Sequence, residues 1–306
     1  ENFRTGTLDQ WGLDMPTLLA HNPRLIVLRL TGFGQTGPYA RKPGFARIFE
    51  AMSGLTYLSG EPDRPPQHTN YPMGDAISGL FGAFAIAAAL VERQSLPIEQ
   101  QRGQEIDLSA TEALFRLLDP LAAEHQFKGQ ARARSGSCAS YTAPSNVYQS
   151  ADGEWITLVG SSDPIFGRLA KAMGQADLAQ DPRFAGNVQR TQHHKVLDAM
   201  VAQWCASQPY TLLAQTLEQH EVPFSKVNSV ADAMADPHMQ ARGAVMELMD
   251  PVLGPIHAPT PVPRFVGRAP LHPCVGPDTG QDNGAVYGRL GLGEEELKQL
   301  RKEGVV

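Results

Sequence analysis

One carboxylate in this chain, Asp75, stands directly before residues 76–91, a run without a single charged side chain. Pro72 and Gly74 precede it, where a chain commonly turns into a helix, so the sequence predicts a helix with Asp75 as N-cap. The uncharged run predicts that this helix is buried on nearly every side. A carboxylate so placed stays ionised beside the helix dipole and is rigidly held, as a covalent nucleophile requires. A plain helix cap has the same features, so both interpretations stay open.

A glycine-rich turn at residues 31–38 is the second candidate site. It follows residues 25–30, whose branched apolar side chains predict a buried parallel strand. Ligands of open α/β sheets bind beyond the carboxyl ends of the strands, and glycines allow backbone N–H groups to approach them. The turn matches neither GxGxxG nor a P-loop, so a tight turn without a ligand is an equal alternative.

Metal and hydrolase sites are not indicated. His193 and His194 are adjacent, which on a helix directs them about 100° apart rather than onto one face. The three cysteines are far apart, so neither a disulfide framework nor a metal site is predicted. No HExxH or GxSxG motif occurs in the sequence. The remaining histidines considered are scattered and are predicted to lie on the surface: His220, His238, His257 and His272.

The composition is that of a globular protein, with 306 residues, 42% hydrophobic and 19% charged. A net charge of −6 argues against a nucleic-acid partner. The longest apolar run falls short of the roughly 18 residues expected of a membrane span. We therefore expect a cytoplasmic protein with neither nucleic acid nor membrane as partner. Because the chain opens at Glu1 without an initial strand, we also expect it to begin within a domain.

The order of elements predicts an α/β protein with a second, smaller piece. A short strand at 103–109 leads into a helix at about 110–127, capped by Ser109 or Thr111. The Asp-Gly pair between two apolar runs, residues 146–150 and 155–159, predicts a hairpin. The predicted domains are a large-domain portion (1–128), a linker (129–145), a small α+β domain (146–250), and an extended linker with a C-terminal segment returning to the large domain (251–306).

Several of these stretches together resemble the class III CoA-transferase family, the CaiB/BaiF group. The likeness runs from Glu1 almost to the end of the chain. Set beside the family, the chain lacks the N-terminal portion that supplies the first Rossmann strands and part of the adenine pocket. The residues that carry the resemblance are 2–4, 22–26, 31–38, 74–75, 103–107, 143–155, 236–238, 242–243 and 290–292.

The resemblance implies a Rossmann-like large domain and a small domain in an interlocked homodimer. It implies transfer of coenzyme A from an acyl-CoA to a small carboxylic acid, with Asp75 forming first an aspartyl–acyl anhydride and then an aspartyl-CoA thioester. The CoA thioester is a substrate, and no permanently bound cofactor or metal is expected. Arg4 would face a CoA phosphate, whereas Gln10 replaces a further basic contact. The positions that match the family's CoA-binding residues are Asn2, Phe3, Arg4, Thr31, Gly32, Phe33 and Gly34.

Two alternatives accompany this expectation. The same family includes α-methylacyl-CoA racemases, which pair the aspartate with a histidine as acid and base. Phe45 stands at the histidine position here and cannot move a proton. Asp75 is followed by Ala76-Ile77-Ser78 rather than by the run of glycines common in racemases, and both departures favour transfer. The second alternative is a non-catalytic, CoA-binding or structural remnant. The acyl donor and the acceptor acid are left open. Three nearby cations have two interpretations, contact with the second carboxylate of a dicarboxylic acid and solvated surface charge, of which the second is favoured: Arg41, Lys42 and Arg47.

Overall fold

The computed structural model describes residues 1–269, 271 and 273–306, which form two units, residues 1–226 and 227–306. The first unit contains α1 (Thr7–Gln10), α2 (Met15–His21), β1 (Ile26–Thr31), α3 (Ala46–Ser53), α4 (Leu55–Leu58), α5 (Met73–Ser95), β2 (Gln104–Ser109), α6 (Ala110–Arg116), α7 (Leu121–Lys128), β3 (Ser145–Gln149), β4 (Trp155–Val159), α8 (Asp163–Ala172), α9 (Asn187–Gln192), α10 (His194–Ala206), α11 (Tyr210–Gln219) and β5 (Phe224–Lys226). The second contains α12 (Val230–Ala235), α13 (Pro237–Ala241), β6 (Val245–Asp250), β7 (Gly254–Pro259), α14 (Asn283–Gly288) and α15 (Glu294–Lys302).

Strands β1 and β2 form a parallel pair, in which Leu28 is opposite Ile106 and Thr31 is opposite Ser109. The predicted parallel strand is confirmed to within one residue. Helix α5 packs on this pair through Gly82, where an added Cβ would lie 2.7 Å from Leu28 Cδ2. The absent side chain thus lets the helix lie close to the strands. The fold is mixed α/β, as expected.

The prediction that α5 is buried on nearly every side is wrong for this chain. Its buried residues within the described part are Gly74, Ser78, Gly82 and Ala89. Leu80 and Phe84 are 72% and 73% exposed. The absence of charge therefore marks an apolar surface that the chain itself does not cover.

Helix α5 is longer than the apolar run on which the expectation of no membrane span was based. The helix has 23 residues, and by length and composition it is apolar enough to cross a membrane. The uncharged run at residues 76–91 is shorter than the helix, which begins at Met73 and ends at Ser95. A single helix of this kind is weak evidence for a span, since core helices of soluble proteins share these properties.

The predicted helix at 110–127 is two helices, α6 and α7. Ser109 caps the first of them, because its hydroxyl accepts a hydrogen bond from Glu112 N–H at 3.3 Å. The break comes before Pro120, whose ring cannot continue a helix interior. The Ser109 alternative for the cap is therefore confirmed, and the single long helix is wrong.

The predicted hairpin is confirmed as β3 and β4, which pair antiparallel, and β5 adds a third strand beside β4. One face of this sheet packs on helices α8, α10 and α11. Their buried side chains form a continuous apolar core that includes Tyr148, Ile156, Leu158, Phe166, Leu169, Leu197, Val201, Leu213 and Leu217.

In the second unit, β6 and β7 form an antiparallel hairpin. This corrects part of the predicted extended segment, because Gly254–Pro259 is a paired strand. Pro270, within that segment, and the predicted surface histidine His272 lie outside the described residues. The predicted closing helix is confirmed and starts at Glu294. The predicted domain boundaries at 128 and 146 fall inside the first unit and stay predictions.

Candidate active site

Asp75 lies in the first turn of α5, and its side chain is exposed. The helix begins at Met73 and Pro72 occupies the N-cap, so the prediction of Asp75 as N-cap is wrong. A carboxylate at the third helical position still lies beside the free N–H groups and the positive end of the helix dipole. Among the described residues, Asp75 has no hydrogen-bond or ion-pair partner, so its oxygens face solvent rather than capping the helix.

The residue before it, Gly74, is buried and closely packed. Its N–H donates a hydrogen bond to Glu50 Oε1 at 3.1 Å, and its carbonyl accepts one from Ser78 Oγ at 2.6 Å. An added Cβ would lie 3.0 Å from the carbonyl oxygen of Ala46. The backbone that carries Asp75 is thus held by two elements: Glu50 and Ala46 of α3, and Ser78 in the next turn of α5.

Glu50 is a functional candidate that the sequence analysis missed. Its carboxyl group is 2% exposed. Oε2 lies 3.2 Å from His68 Nδ1, and that ring nitrogen lies 3.3 Å from Thr56 Oγ1. The only local signal was an acid in a helix beside apolar residues, and it gives no hint of a partner 24 positions further along the chain.

The glycine turn is anchored at the carboxyl end of the parallel strands. The carbonyl of Gly32 accepts hydrogen bonds from Thr111 N–H, Thr111 Oγ1 and Ser109 Oγ at 3.2, 2.8 and 3.3 Å. The Asp107 carboxylate accepts the Gln35 N–H at 3.0 Å. Because several partners converge on it, the turn has one defined shape and lies where a ligand of a parallel sheet is expected.

The N-terminal residues lie beside this turn. The amino group of Glu1 donates to the Leu28 carbonyl at 2.8 Å, and its own carbonyl accepts the Leu30 N–H at 3.0 Å. The Thr5 hydroxyl donates to the Gly34 carbonyl at 3.4 Å. Gly34 has φ +82°, a conformation that favours glycine. The exposed side chains along this edge are Asn2, Phe3 and Arg4.

Helix α3 joins the turn to the Asp75 backbone. The Phe49 ring fills the space beside Gly32 and Gly44, where an added Cβ would lie only 2.1 and 2.5 Å from it. The ring also meets Phe33 edge-on at a centroid distance of 5.5 Å. The next residue is Glu50, which binds the first turn of α5. Two consecutive residues therefore connect the two candidate sites that the sequence indicated separately.

Several side chains near the start of α3 are exposed. Phe45 is 84% exposed and precedes Ala46, whose backbone contacts the Asp75 turn. The cations Arg41, Lys42 and Arg47 are all exposed. Lys42 Nζ lies 3.6 Å from the centre of the Tyr39 ring.

Within the described residues, no group of three or more His, Cys, Asp or Glu side chains could hold a metal ion.

The amino-acid sequence of this chain is similar to those of known proteins. The family model described as CoA-transferase family III matches residues 1–283. The chain belongs to that family. It is 38% identical over 307 residues to the succinyl-CoA–D-citramalate CoA-transferase of Chloroflexus aurantiacus, with 100% of this chain and 75% of that protein covered. It is 35% identical over 308 residues to the alpha subunit of the succinyl-CoA–L-malate CoA-transferase of Chloroflexus aurantiacus, covering 100% of this chain and 71% of that subunit.

A solved structure is also similar to this chain. The crystal structure of a CaiB/BaiF family protein from Brucella suis matches with a TM-score of 0.78 at 32% identity, over 95% of this chain and 74% of that one. This chain is therefore a class III CoA-transferase, an enzyme that moves coenzyme A between an acyl-CoA and a carboxylic acid. The family, enzyme class and α/β fold expected from the sequence are confirmed.

Proposed function

We propose that Asp75 is the covalent nucleophile of this CoA-transferase. The observation that carries the proposal is an exposed, unpartnered carboxylate on a backbone held by α3, the helix that also packs against the glycine turn. A nucleophile must reach the substrate while its backbone stays fixed, and this arrangement provides both. The carboxylate lies in the first turn of α5, beside the positive end of the helix dipole.

The chemistry proceeds by acyl exchange at the Asp75 carboxylate. Its oxygen attacks the donor thioester carbonyl, the C–S bond breaks, and the products are an aspartyl–acyl anhydride and CoA thiolate. The thiolate attacks the aspartyl carbonyl and releases the donor acid, leaving an aspartyl-CoA thioester. The acceptor carboxylate attacks this thioester, and the CoA thiolate then attacks the acceptor carbonyl of the new anhydride. The acceptor leaves as its CoA thioester and Asp75 is restored.

Coenzyme A occupies the edge formed by the N-terminal residues and the glycine turn. The Arg4 guanidinium is exposed there and suits a phosphate of CoA, with which it can form two charge-assisted hydrogen bonds. The turn lies at the carboxyl end of the parallel strands, where ligands of α/β sheets bind. The residues proposed to contact CoA are Asn2, Phe3, Arg4, Thr31, Gly32, Phe33 and Gly34.

The relatives support a particular substrate class. Both Chloroflexus proteins are named as using succinyl-CoA, with D-citramalate or L-malate as the second substrate. We infer that this enzyme takes succinyl-CoA as donor and a small hydroxylated dicarboxylic acid as acceptor. A panel of acids offered with succinyl-CoA, with the new CoA thioester identified by mass, tests the inference. Activity only with monocarboxylic acceptors would contradict it.

The enzyme is further proposed to be a cytoplasmic homodimer of interlocked chains. The uncovered apolar surface of α5, marked by Leu80 and Phe84, supports the dimer, because large exposed apolar patches typically form interfaces. Multi-angle light scattering tests it, and a monomer at micromolar concentration with full activity would contradict it.

The nucleophile is tested by comparing Asp75→Ala with Glu112→Ala. Glu112 is also an exposed acid in the first turn of a helix, so the control removes the same dipole contact. We expect Asp75→Ala to lower kcat by about 1,000-fold or more while CoA still binds, and Glu112→Ala to stay near the parent rate. Retained exchange in Asp75→Ala would overturn the proposal. A racemase would instead exchange solvent deuterium into the α-carbon of a branched acyl-CoA.

A further inference from the structure

Helix α5 begins without a cap of its own. The first N–H groups of a helix have no partner within it, and a side-chain acceptor at the N-cap normally satisfies one of them. Pro72 at the N-cap offers no such acceptor. The Gly74 N–H instead donates to Glu50 Oε1 at 3.1 Å. The capping acceptor of α5 is thus supplied by a different helix, α3.

Glu50 is itself held firmly. The carboxyl group is 2% exposed, and its second oxygen, Oε2, lies 3.2 Å from His68 Nδ1. The Thr56 hydroxyl lies 3.3 Å from the same nitrogen. In the backbone, the Glu50 carbonyl accepts a hydrogen bond from Ser53 Oγ at 2.9 Å. With both carboxyl oxygens engaged inside the protein, Glu50 can transmit the position of α3 to Gly74.

We propose that Glu50 is a positioning residue for the transfer reaction, setting the place of the Asp75 carboxylate through the Gly74 peptide. This inference rests on the proposed role of Asp75 as nucleophile. Asp75 follows Gly74 directly, so a tilt of that peptide moves the carboxylate relative to the bound thioester. A misplacement of about 1 Å can lower a rate by about 100-fold. Glu50 is buried and does not reach the substrate, so it acts only through geometry.

Variants of Glu50 that keep or remove the oxygen acceptor for the Gly74 N–H should differ in kcat. In Glu50→Gln the amide oxygen still accepts the Gly74 N–H, and the amide NH2 faces His68 Nδ1. In Glu50→Ala and Glu50→Met no oxygen acceptor remains, and methionine keeps most of the side-chain volume. Ser53→Ala is the matched control, because it removes a buried hydrogen bond to the Glu50 backbone carbonyl and leaves the contact between the Glu50 side chain and Gly74 in place.

The experiment measures kcat and KM with succinyl-CoA as donor and L-malate as acceptor, together with the melting temperature of each variant. We expect Glu50→Ala and Glu50→Met to lower kcat by about 10–100-fold while KM for succinyl-CoA changes less than about threefold. Glu50→Gln and Ser53→Ala should stay within about threefold of the parent kcat. If Glu50→Ala does not fold, Glu50→Met tests the loss of the oxygen acceptor. If neither folds, the kcat of Glu50→Gln tests the inference, because a value far below that of the parent would contradict a purely geometric role.

Three outcomes would overturn the inference. A folded Glu50→Met enzyme with parental kcat would show that the contact does not position Asp75. A Glu50→Gln enzyme as slow as Glu50→Met would show that charge, not geometry, matters. A loss of kcat matched by Ser53→Ala would reduce Glu50 to a structural residue. The role of Asp75 is decided separately by Asp75→Ala, whose retained activity would refute the proposed function whatever Glu50 does.

Discussion

Two regions of the first unit are built in contrasting ways. The hairpin region, formed by β3–β5 with α8, α10 and α11, has a continuous core of large buried side chains. The Asp75 region, formed by β1, β2, α3, α5 and α6, has a small buried cluster of Phe49, Ala110 and Leu114. It is held by hydrogen bonds and by close approaches at glycines. The apolar surface of α5 stays exposed. The hairpin region is thus held by a large apolar core, and the Asp75 region by backbone contacts around a small one.

Matched leucine substitutions test this contrast most strongly. Leu197 is fully buried in the hairpin core, whereas Leu80 on α5 is 72% exposed. Leu197→Ala should lower the free energy of unfolding by about 2–5 kcal/mol, because it leaves a cavity, and the loss should not depend on protein concentration. Leu80→Ala should cost less, and its effect should appear as weaker self-association. Denaturant unfolding at several protein concentrations measures both. An equal, concentration-independent loss for the two would contradict the contrast.

Gly32→Ala sharpens the description of the Asp75 region. The new methyl group would lie 2.1 Å from the Phe49 ring, so the ring or the glycine turn must shift. Overpacking of this kind costs about 1–3 kcal/mol of stability, and we expect KM for the CoA donor to rise because the turn is displaced. Gly167→Ala on α8 is the control, since an added Cβ there meets nothing within 4 Å. Unchanged KM in Gly32→Ala would remove the turn from the proposed CoA site.

The smallest expected effect concerns thiol reactivity. Burial, together with the nearby Asp198 carboxylate, raises the pKa of Cys138 beside the hairpin region to about 11. The thiol therefore stays protonated as pH rises, until it approaches that value, and reacts slowly. Cys274 is exposed. Iodoacetamide at pH 8 should modify Cys274 well before Cys138, as followed by peptide mass. Faster labelling of Cys138 would show that its surroundings are more open than described.

How well the sequence predicted these elements depended on how local their causes are. The strand β1 was predicted from a run of branched apolar side chains, and the β3–β4 hairpin from an Asp-Gly pair between two apolar runs. Both signals lie within a few neighbouring residues. The cap of α5 was predicted wrongly because residue preference favours Asp75 over Pro72, whereas the helix starts two residues before Asp75. Its burial was predicted wrongly because an uncharged run reveals an apolar surface but not what covers it.

The support of the candidate site was not predictable in the same way. The Glu50 carboxylate meets Gly74 across 24 residues of sequence, and the Phe49 ring packs against Gly32 from a separate helix. Such contacts depend on tertiary packing and leave no periodic pattern. Asp75 and the glycine turn could be singled out from sequence, whereas the tertiary contacts of the helix that joins them could not.

Direct mapping of the covalent intermediate tests the central claim. The enzyme is incubated with succinyl-CoA and no acceptor, then trapped with hydroxylamine or borohydride, digested and analysed by mass spectrometry. The account predicts a hydroxamate or reduced product on the peptide that contains Asp75, absent from Asp75→Ala and present in Glu112→Ala. A modification on another carboxylate, or transfer without any trapped product on Asp75, would contradict it.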